Sequence, residues 1–207
     1  LLDNRSLYNY SIHPFYAYDG WAYDVIDFYK GKKLLSLSND ELYGVCRAYS
    51  EAASSMFWPH YEYSLKKNDE FVPDKKTIRN YKKLANEAIK GFEQLMQRNP
   101  EYPTIIGNID MKYYNEIISK WYEMEIFGFH DQAERFLKKY TRNKLYKEFW
   151  IEYAKDILQS AEPNALLFTN GDNDTYPLLY VQKVLGFRQD VSVINISLLN
   201  DPRYYSF

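Results

Sequence analysis

A short polar segment near the carboxyl end of the chain carries the residue types that could do chemistry. It lies between an apolar run of strand type and a helical pattern. In open α/β sheets, ligands collect where loops leave the carboxyl ends of strands, and we expect this segment at such a position. It supplies five candidate ligand-binding residues, namely Asn170, Asp172, Asn173, Asp174 and Thr175.

Three interpretations of this acidic loop are open. In the first it is structural: Asp172 and Asn173 close an Asx turn, and Asp174 or Thr175 caps the next helix. In the second, Asp172 and Asp174 are metal ligands, because hard oxygen ligands at neighbouring positions suit calcium or magnesium. In the third, both carboxylates bind a sugar or nucleotide hydroxyl. Phosphate is disfavoured, because two carboxylates oppose an anion at a helix terminus.

The rest of the sequence contains no recognisable metal-binding or catalytic motif. His13, His60 and His130 are far apart and lack metal-ligand spacing. No serine elbow, glycine-rich phosphate loop or paired-cysteine motif is present. The single cysteine, Cys46, lies on the apolar stripe of a predicted helix and is expected to be buried. We therefore predict no cofactor apart from a possible calcium or magnesium ion.

Apolar periodicity predicts a mostly helical chain. Ser38 and Glu41 have the spacing of a capping box, which places a helix start there. The periodic segments and their stops predict helices over Trp21 to Lys30, Ser38 to Met56, Asp74 to Met96, Met111 to Phe127, Asp131 to Tyr140, Leu145 to Leu158 and Tyr176 to Leu185. Two short apolar runs, Ala165 to Thr169 and Val191 to Ile196, predict strands, and with the helix between them they predict a parallel βαβ unit.

The helical middle resembles tetratricopeptide repeats. It reproduces their spacing of small, aromatic and apolar residues before a proline at Ala88, Phe92, Leu95 and Pro100. The run 127–133 resembles the turn between the two helices of that family. The resemblance implies an array of helical hairpins followed by the small α/β unit, and an unrelated helical bundle is the alternative.

The segment from Ala165 to Asn200 resembles another family. The string NGDNDT, followed by an aromatic residue and Pro177, is similar to part of the soluble region of a bacterial family of polytopic, O-mannosyltransferase-like membrane proteins. The membrane-spanning part that would carry glycosyl transfer is absent from this sequence. The resemblance therefore implies a shared module or a membrane neighbourhood, and it does not imply catalysis.

Composition excludes some partners. The 26 Lys and Arg against 28 Asp and Glu give a net charge of −2, so we expect no nucleic-acid partner. No apolar run approaches the roughly 18 residues that span a bilayer. The 22 tyrosines suit protein or glycan binding surfaces. The chain begins at Leu1 rather than Met, so we expect that something upstream was removed.

These patterns predict three parts: an aromatic arm with a short helix over 1–37, a helical hairpin domain over 38–160, and an incomplete βαβ unit over 161–207. We expect the βαβ unit to be incomplete because two parallel strands with one crossover helix cannot bury both faces of a sheet. Two functions fit. The first is a helical-repeat binding or scaffold module of the bacterial cell envelope or periplasm, with a cytoplasmic location as the alternative. The second is an enzyme or enzyme fragment of carbohydrate or glycosyl-transfer metabolism that uses Asp172 and Asp174.

Overall fold

A computed structural model of the protein describes residues 20–57, 73–199 and Tyr204. Residues 1–19 of the expected aromatic arm lie outside the described residues, as do His13 and His60. The described helices are α1 Trp21–Phe28, α2 Asn39–Ser54, α3 Lys75–Arg98, α4 Ile109–Ile126, α5 His130–Tyr140, α6 Glu148–Ser160 and α7 Asp172–Leu185. The described strands are β1 Pro103–Thr104, β2 Gly107–Asn108, β3 Leu166–Thr169 and β4 Ser192–Asn195.

The described part of the chain is mainly helical with a small two-stranded sheet near the carboxyl end, which confirms the predicted fold class. The chain divides into two compact units, Leu1–Tyr113 and Tyr114–Phe207. This division groups α5 and α6 with the βαβ unit, whereas the boundary expected from sequence lay at residue 160. The domain boundaries stay a prediction. None of the described helices is both long and apolar enough to cross a bilayer.

Helix α2 begins where the capping box places it. The Ser38 hydroxyl accepts a hydrogen bond from the Glu41 amide at 3.3 Å, and the Glu41 carboxylate accepts one from the Ser38 amide at 2.9 Å. These two bonds satisfy amides that have no intrahelical partner. The hydrogen bond from the Ser38 amide first, and the Ser38 side chain second, lower the pKa of Glu41, because both groups stabilise its charged carboxylate.

Helices α2 and α3 form an antiparallel hairpin. The rings of Phe57, after α2, and Tyr81, near the start of α3, stack at 4.1 Å. At the opposite end, the Arg98 guanidinium donates to the Leu37 carbonyl at 2.7 Å. Ala88, Phe92 and Cys46 are all buried in the core between the two helices. The burial of Cys46 confirms its assignment as a small core residue, while the tetratricopeptide resemblance stays a prediction.

The second unit contains the predicted βαβ crossover. Strand β3 pairs with β4 in parallel, with Leu166 opposite Ser192 and Thr169 opposite Asn195. Helix α7 connects the two strands and packs against β4, and α6 packs against α7. The parallel pairing places the segment after Thr169 at the carboxyl edge of the sheet.

The acidic loop is shorter than the sequence pattern predicts. Helix α7 begins at Asp172 and not at Tyr176, so only Asn170 and Gly171 separate it from β3. Pro177 suggested a later start, because proline is most common in the first turn. The earlier turn is stabilised by Thr175, which donates to the Gly171 carbonyl from its amide at 3.2 Å and from its hydroxyl at 2.7 Å.

Candidate functional site

The five candidate residues lie at the junction of β3 and α7. Asn170 precedes the helix and is exposed, and the other four form its first turn. Gly171 adopts φ 96°, a conformation that side-chain-bearing residues rarely take. The chain therefore turns sharply from strand to helix at this glycine, and the side chains that follow point in different directions.

Asn173 faces the interior of the second unit. Its side-chain oxygen accepts a hydrogen bond from the Asn115 amide at 2.8 Å. The Asn115 oxygen in turn accepts a hydrogen bond from the Tyr146 hydroxyl at 2.7 Å. Asn115 and Tyr146 are both buried. Because unpaired buried amides are costly, this chain of bonds gives Asn173 a structural role.

Thr175 is also directed inward. Its hydroxyl lies 2.8 Å from the hydroxyl of Thr169, the last residue of β3. The Thr169 hydroxyl is also within hydrogen-bonding distance, 3.3 Å, of the Ile194 carbonyl in β4. Both threonines are buried. Together these contacts join the end of β3, the start of α7 and strand β4, so Thr175 holds the crossover in place.

Asp172 is half-buried and interacts electrostatically with buried tyrosines. Burial raises the pKa values of Tyr146 and Tyr176 well above the ordinary value, and the negative charge of Asp172 adds to the effect on both. The Asp172 carboxylate therefore acts electrostatically on both phenols.

Asp174 has a different environment. It is exposed and borders a cavity of about 300 Å³ at the carboxyl edge of the sheet. The other described residues that line this cavity come from α6, β3, α7 and the turn after β4, and they are mainly apolar: Tyr153, Ile157, Leu167, Phe168, Thr169, Asn170, Leu178 and Ile196. Asn170 and Asp174 therefore share one cavity.

The helical placement separates the two candidate metal ligands. Residues two positions apart on a helix do not face each other, so Asp172 and Asp174 diverge. Within the described ranges, no group of three or more His, Cys, Asp and Glu residues could hold a metal ion. Calcium or magnesium binding by Asp172 and Asp174 stays a prediction, and their divergence does not favour it.

Large apolar side chains of α6 and β3 are exposed, and some of them line the cavity. Phe168 of β3 is 59% exposed and Phe149 of α6 is 70% exposed. Phe149 contacts Trp150, and Trp150 contacts Tyr153 edge to face, with ring centroids 5.2 and 5.9 Å apart. We use the name α6–β3 apolar surface for the exposed set Phe149, Tyr153, Leu166, Phe168 and Ile196. The sequence analysis missed it, although the alternation of Leu166 and Phe168 marks one face of a strand.

An ion pair that the sequence analysis also missed supports the unit from the opposite edge. Arg188 donates to both carboxylate oxygens of Asp190, at 2.8 and 2.9 Å. The same guanidinium donates to the carbonyls of Leu158 at 2.9 Å and Ala161 at 3.1 Å, at the end of α6. Arg188 and the Asn164 amide lower the pKa of Asp190 to about 2. The pair ties the loop before β4 to the end of α6.

Helix α4 carries buried charges in the second unit. The Lys120 ammonium lies 3.3 Å from Glu123 and 3.7 Å from Glu116, and all three are buried. Glu125 accepts a hydrogen bond from the Trp121 indole at 3.0 Å and lies 2.6 Å from His130 Nδ1. These charges are paired, as burial requires. His130 thus contacts a carboxylate, a partner that its isolation in the sequence did not indicate.

A protein-family model matches the carboxyl-terminal part of the chain. No curated protein and no solved structure is detectably similar to the chain. Residues 150–206 match the TMEM260-associated domain 2 family, which is linked to O-mannosyltransferase-like proteins. The matched segment covers most of α6 together with β3, α7 and β4. It includes the residues that line the cavity and all of the α6–β3 apolar surface except Phe149. The carboxyl-terminal part of the chain is thus similar to TMEM260-associated domain 2, in agreement with the resemblance of Ala165 to Asn200.

Proposed function

We propose that this chain is a helical binding or scaffold module of the bacterial cell envelope and that it holds a partner at the α6–β3 apolar surface. The observation that carries the proposal is the exposure of Tyr153, Phe168 and Ile196, which line a cavity of about 300 Å³. Contiguous exposed apolar groups rimmed by polar residues are typical of interaction sites. A cavity with few polar groups is typical of binding.

The division of the candidate residues supports binding over catalysis. Asn173 and Thr175 make internal hydrogen bonds, and Asp172 interacts electrostatically with buried tyrosines. Only Asn170 and Asp174 border the cavity. The enzyme alternative needs the carboxylates of Asp172 and Asp174 to converge on one substrate, which their different environments oppose. A glycan partner is compatible with the surface, because an aromatic ring, a carboxamide and a carboxylate line the same cavity.

The proposed location rests on resemblance. The segment similar to TMEM260-associated domain 2 is linked to O-mannosyltransferase-like proteins, and the notable string NGDNDT is similar to a soluble region of membrane proteins. A module with no candidate span in its described residues would then act beside a membrane rather than within it. A cytoplasmic location remains the alternative.

Site-specific crosslinking in cells of the source organism tests the proposal. We would place benzoylphenylalanine at position 168, irradiate the cells and analyse the adducts by mass spectrometry. We expect discrete adducts with one macromolecule, because Phe168 is exposed beside the cavity. A chain that forms no adduct from position 168 would contradict a partner at this surface.

The matched control is position 185. Leu185 lies in the same unit at the far end of α7 and is 46% exposed, comparable to Phe168. It does not line the cavity. We expect adducts from position 168 that are absent from position 185. Equal adducts from both positions would indicate unspecific collision and would contradict the proposal.

A further inference from the structure

Strand β3 has an edge that no other described strand covers. The carboxyl-terminal sheet contains β3 and β4 alone among the described residues. The Ser192 amide donates to the Ala165 carbonyl at 2.9 Å, which fixes the direction of the β3 peptide groups. Because these groups alternate along a parallel ladder, Ala165, Leu167 and Thr169 bond toward β4. The amides and carbonyls of Leu166 and Phe168 therefore point to the opposite edge.

The cavity adjoins this edge at its carboxyl end. Phe168 and Asn170 line it from the β3 side, and Tyr153 and Ile157 line it from α6. A groove between a strand edge and a helix can accept an extended chain, which adds to the sheet by main-chain hydrogen bonds and places alternate side chains into pockets. The apolar lining fits aliphatic side chains.

We infer that β3 accepts an extended peptide segment as a third strand, with aliphatic side chains in the cavity and a basic residue beside Asp174. This inference rests on the proposed binding function and names its partner class. The basic residue follows from charge, since Asp174 is the only residue with a charged side chain among the described residues that line the cavity. We infer a peptide because Leu166 and Phe168 direct their main-chain amides and carbonyls to the open edge, where the backbone of an added strand can bond to them.

The shortness of the sheet supports an added strand. Two strands of four residues are below the size at which a sheet is usually stable by itself, and parallel sheets are normally covered on both faces. Natural proteins usually protect a strand edge with a charge, a proline or a bulge. The β3 residues Leu166, Leu167, Phe168 and Thr169 supply none of these. An edge of this kind favours pairing.

The test uses fluorescein-labelled heptapeptides of alternating valine and threonine, ending in lysine or in glutamine, added to the full chain. Fluorescence anisotropy reports binding. We expect saturable binding of the lysine peptide, and we expect Asp174→Lys to weaken it about five- to tenfold because a surface charge pair is lost and reversed. The glutamine peptide should bind both proteins equally. Glu162→Gln, which removes an exposed carboxylate outside the cavity, should leave both affinities unchanged.

A second pair of peptides tests the strand geometry without changing the protein. N-methylation of the valines removes every second amide donor, and N-methylation of the threonines removes the alternate set. Strand addition predicts that N-methylation of one residue type abolishes binding and that N-methylation of the other does not. The reason is that only alternate residues of an added strand direct their amides to β3. Equal effects of the two sets would overturn the inference.

Failure of the inference is distinguishable from failure of the proposed function. If no peptide binds while position 168 still gives specific adducts in cells, the surface binds a partner of another class and the strand inference is wrong. Dimerisation of the chain through Phe168, measured by sedimentation and lost in Phe168→Ser, would also overturn it in favour of a second copy.

Discussion

Asn115 donates a hydrogen bond from its side-chain amide to the side-chain oxygen of Asn173, at 2.8 Å. The bond joins α4 to the first turn of α7, and Asn115 also accepts a bond from Tyr146. Through this bond Asn173, one of the candidate ligand residues, contributes to the packing of the second unit. The polar segment after β3 therefore has an inner half that stabilises the unit and an outer half, Asn170 and Asp174, that borders the cavity.

Replacement of Asn173 tests this structural role. Asn173→Ala should lower the free energy of unfolding by about 1–3 kcal/mol, because the buried Asn115 amide loses an acceptor. Urea denaturation measures the change. Asn170→Ala is the matched control, since Asn170 is exposed, and should change stability by less than about 0.5 kcal/mol. Similar values for the two variants would contradict the inner role of Asn173.

Local patterns predicted most of the elements. The Ser38 capping box predicted the start of α2, and apolar periodicity predicted α3. The β-branched run predicted β4. The structure contains all three elements. The start of α7 was wrong by one turn, because the contacts that hold it are between the Thr175 and Thr169 hydroxyls and between Asn173 and Asn115. Asn115 is distant from Asn173 in the sequence, and apolar periodicity does not predict a contact between two hydroxyl groups.

The sequence predicted that the polar segment follows a strand at the carboxyl edge of a parallel sheet, because the geometry of parallel sheets is general. In the structure Asn170 and Asp174 border a cavity at this edge, and their binding of a ligand stays a prediction. The divergence of Asp172 from Asp174 depends on where the helix begins. The contribution of Tyr153 from α6 depends on how that helix packs. Neither is encoded in a local pattern.

Close packing of α2 on α3 gives a second prediction. A Cβ at Gly91 would collide with the sulfur of Cys46. Gly91→Ala should therefore destabilise the chain by about 1–3 kcal/mol despite the better helix propensity of alanine. Thermal or urea unfolding measures this.

A double variant isolates the contact between these two residues. Cys46→Ala removes the colliding atom, so Gly91→Ala should cost much less, or even stabilise, in the Cys46→Ala background. The difference between the two costs is the coupling energy of the pair. Additive effects would show that the contact does not limit the approach of the helices.

The ion pair of Arg188 and Asp190 predicts acid sensitivity. The guanidinium first, and the Asn164 amide second, lower the pKa of Asp190 to about 2, against an ordinary value of roughly 4. A carboxyl with a lowered pKa stabilises the folded state above its unfolded pKa, and this stabilisation is lost as pH falls from roughly 4 toward about 2.

Urea midpoints measured across this range test the linkage. Asp190→Asn should be less stable than the wild type at neutral pH and should lose less stability on acidification. Asp156→Asn, a change of an exposed carboxyl in the same unit, should keep the pH dependence of the wild type. If Asp190→Asn loses stability as steeply as the wild type between these pH values, the ion pair does not stabilise the fold.

Metal addition tests the second interpretation of the polar segment. A site formed by Asp172 and Asp174 predicts that calcium or magnesium raises the melting temperature of the wild type and leaves the double variant Asp172→Asn, Asp174→Asn unchanged. Because the two carboxylates diverge on α7, we expect no difference between the proteins. A rise in melting temperature that occurs in the wild type alone would support a metal site at Asp172 and Asp174.

The most direct test of a binding role compares the two aspartates by crosslinking from position 168. Binding at the cavity needs Asp174, which borders it, but not Asp172, which does not line it. We predict that Asp174→Lys reduces the yield of adducts about five- to tenfold, whereas Asp172→Asn leaves it unchanged. Equal loss in both variants would indicate a site that uses both carboxylates, as the enzyme alternative requires, and would contradict a partner held at the α6–β3 apolar surface beside Asp174 alone.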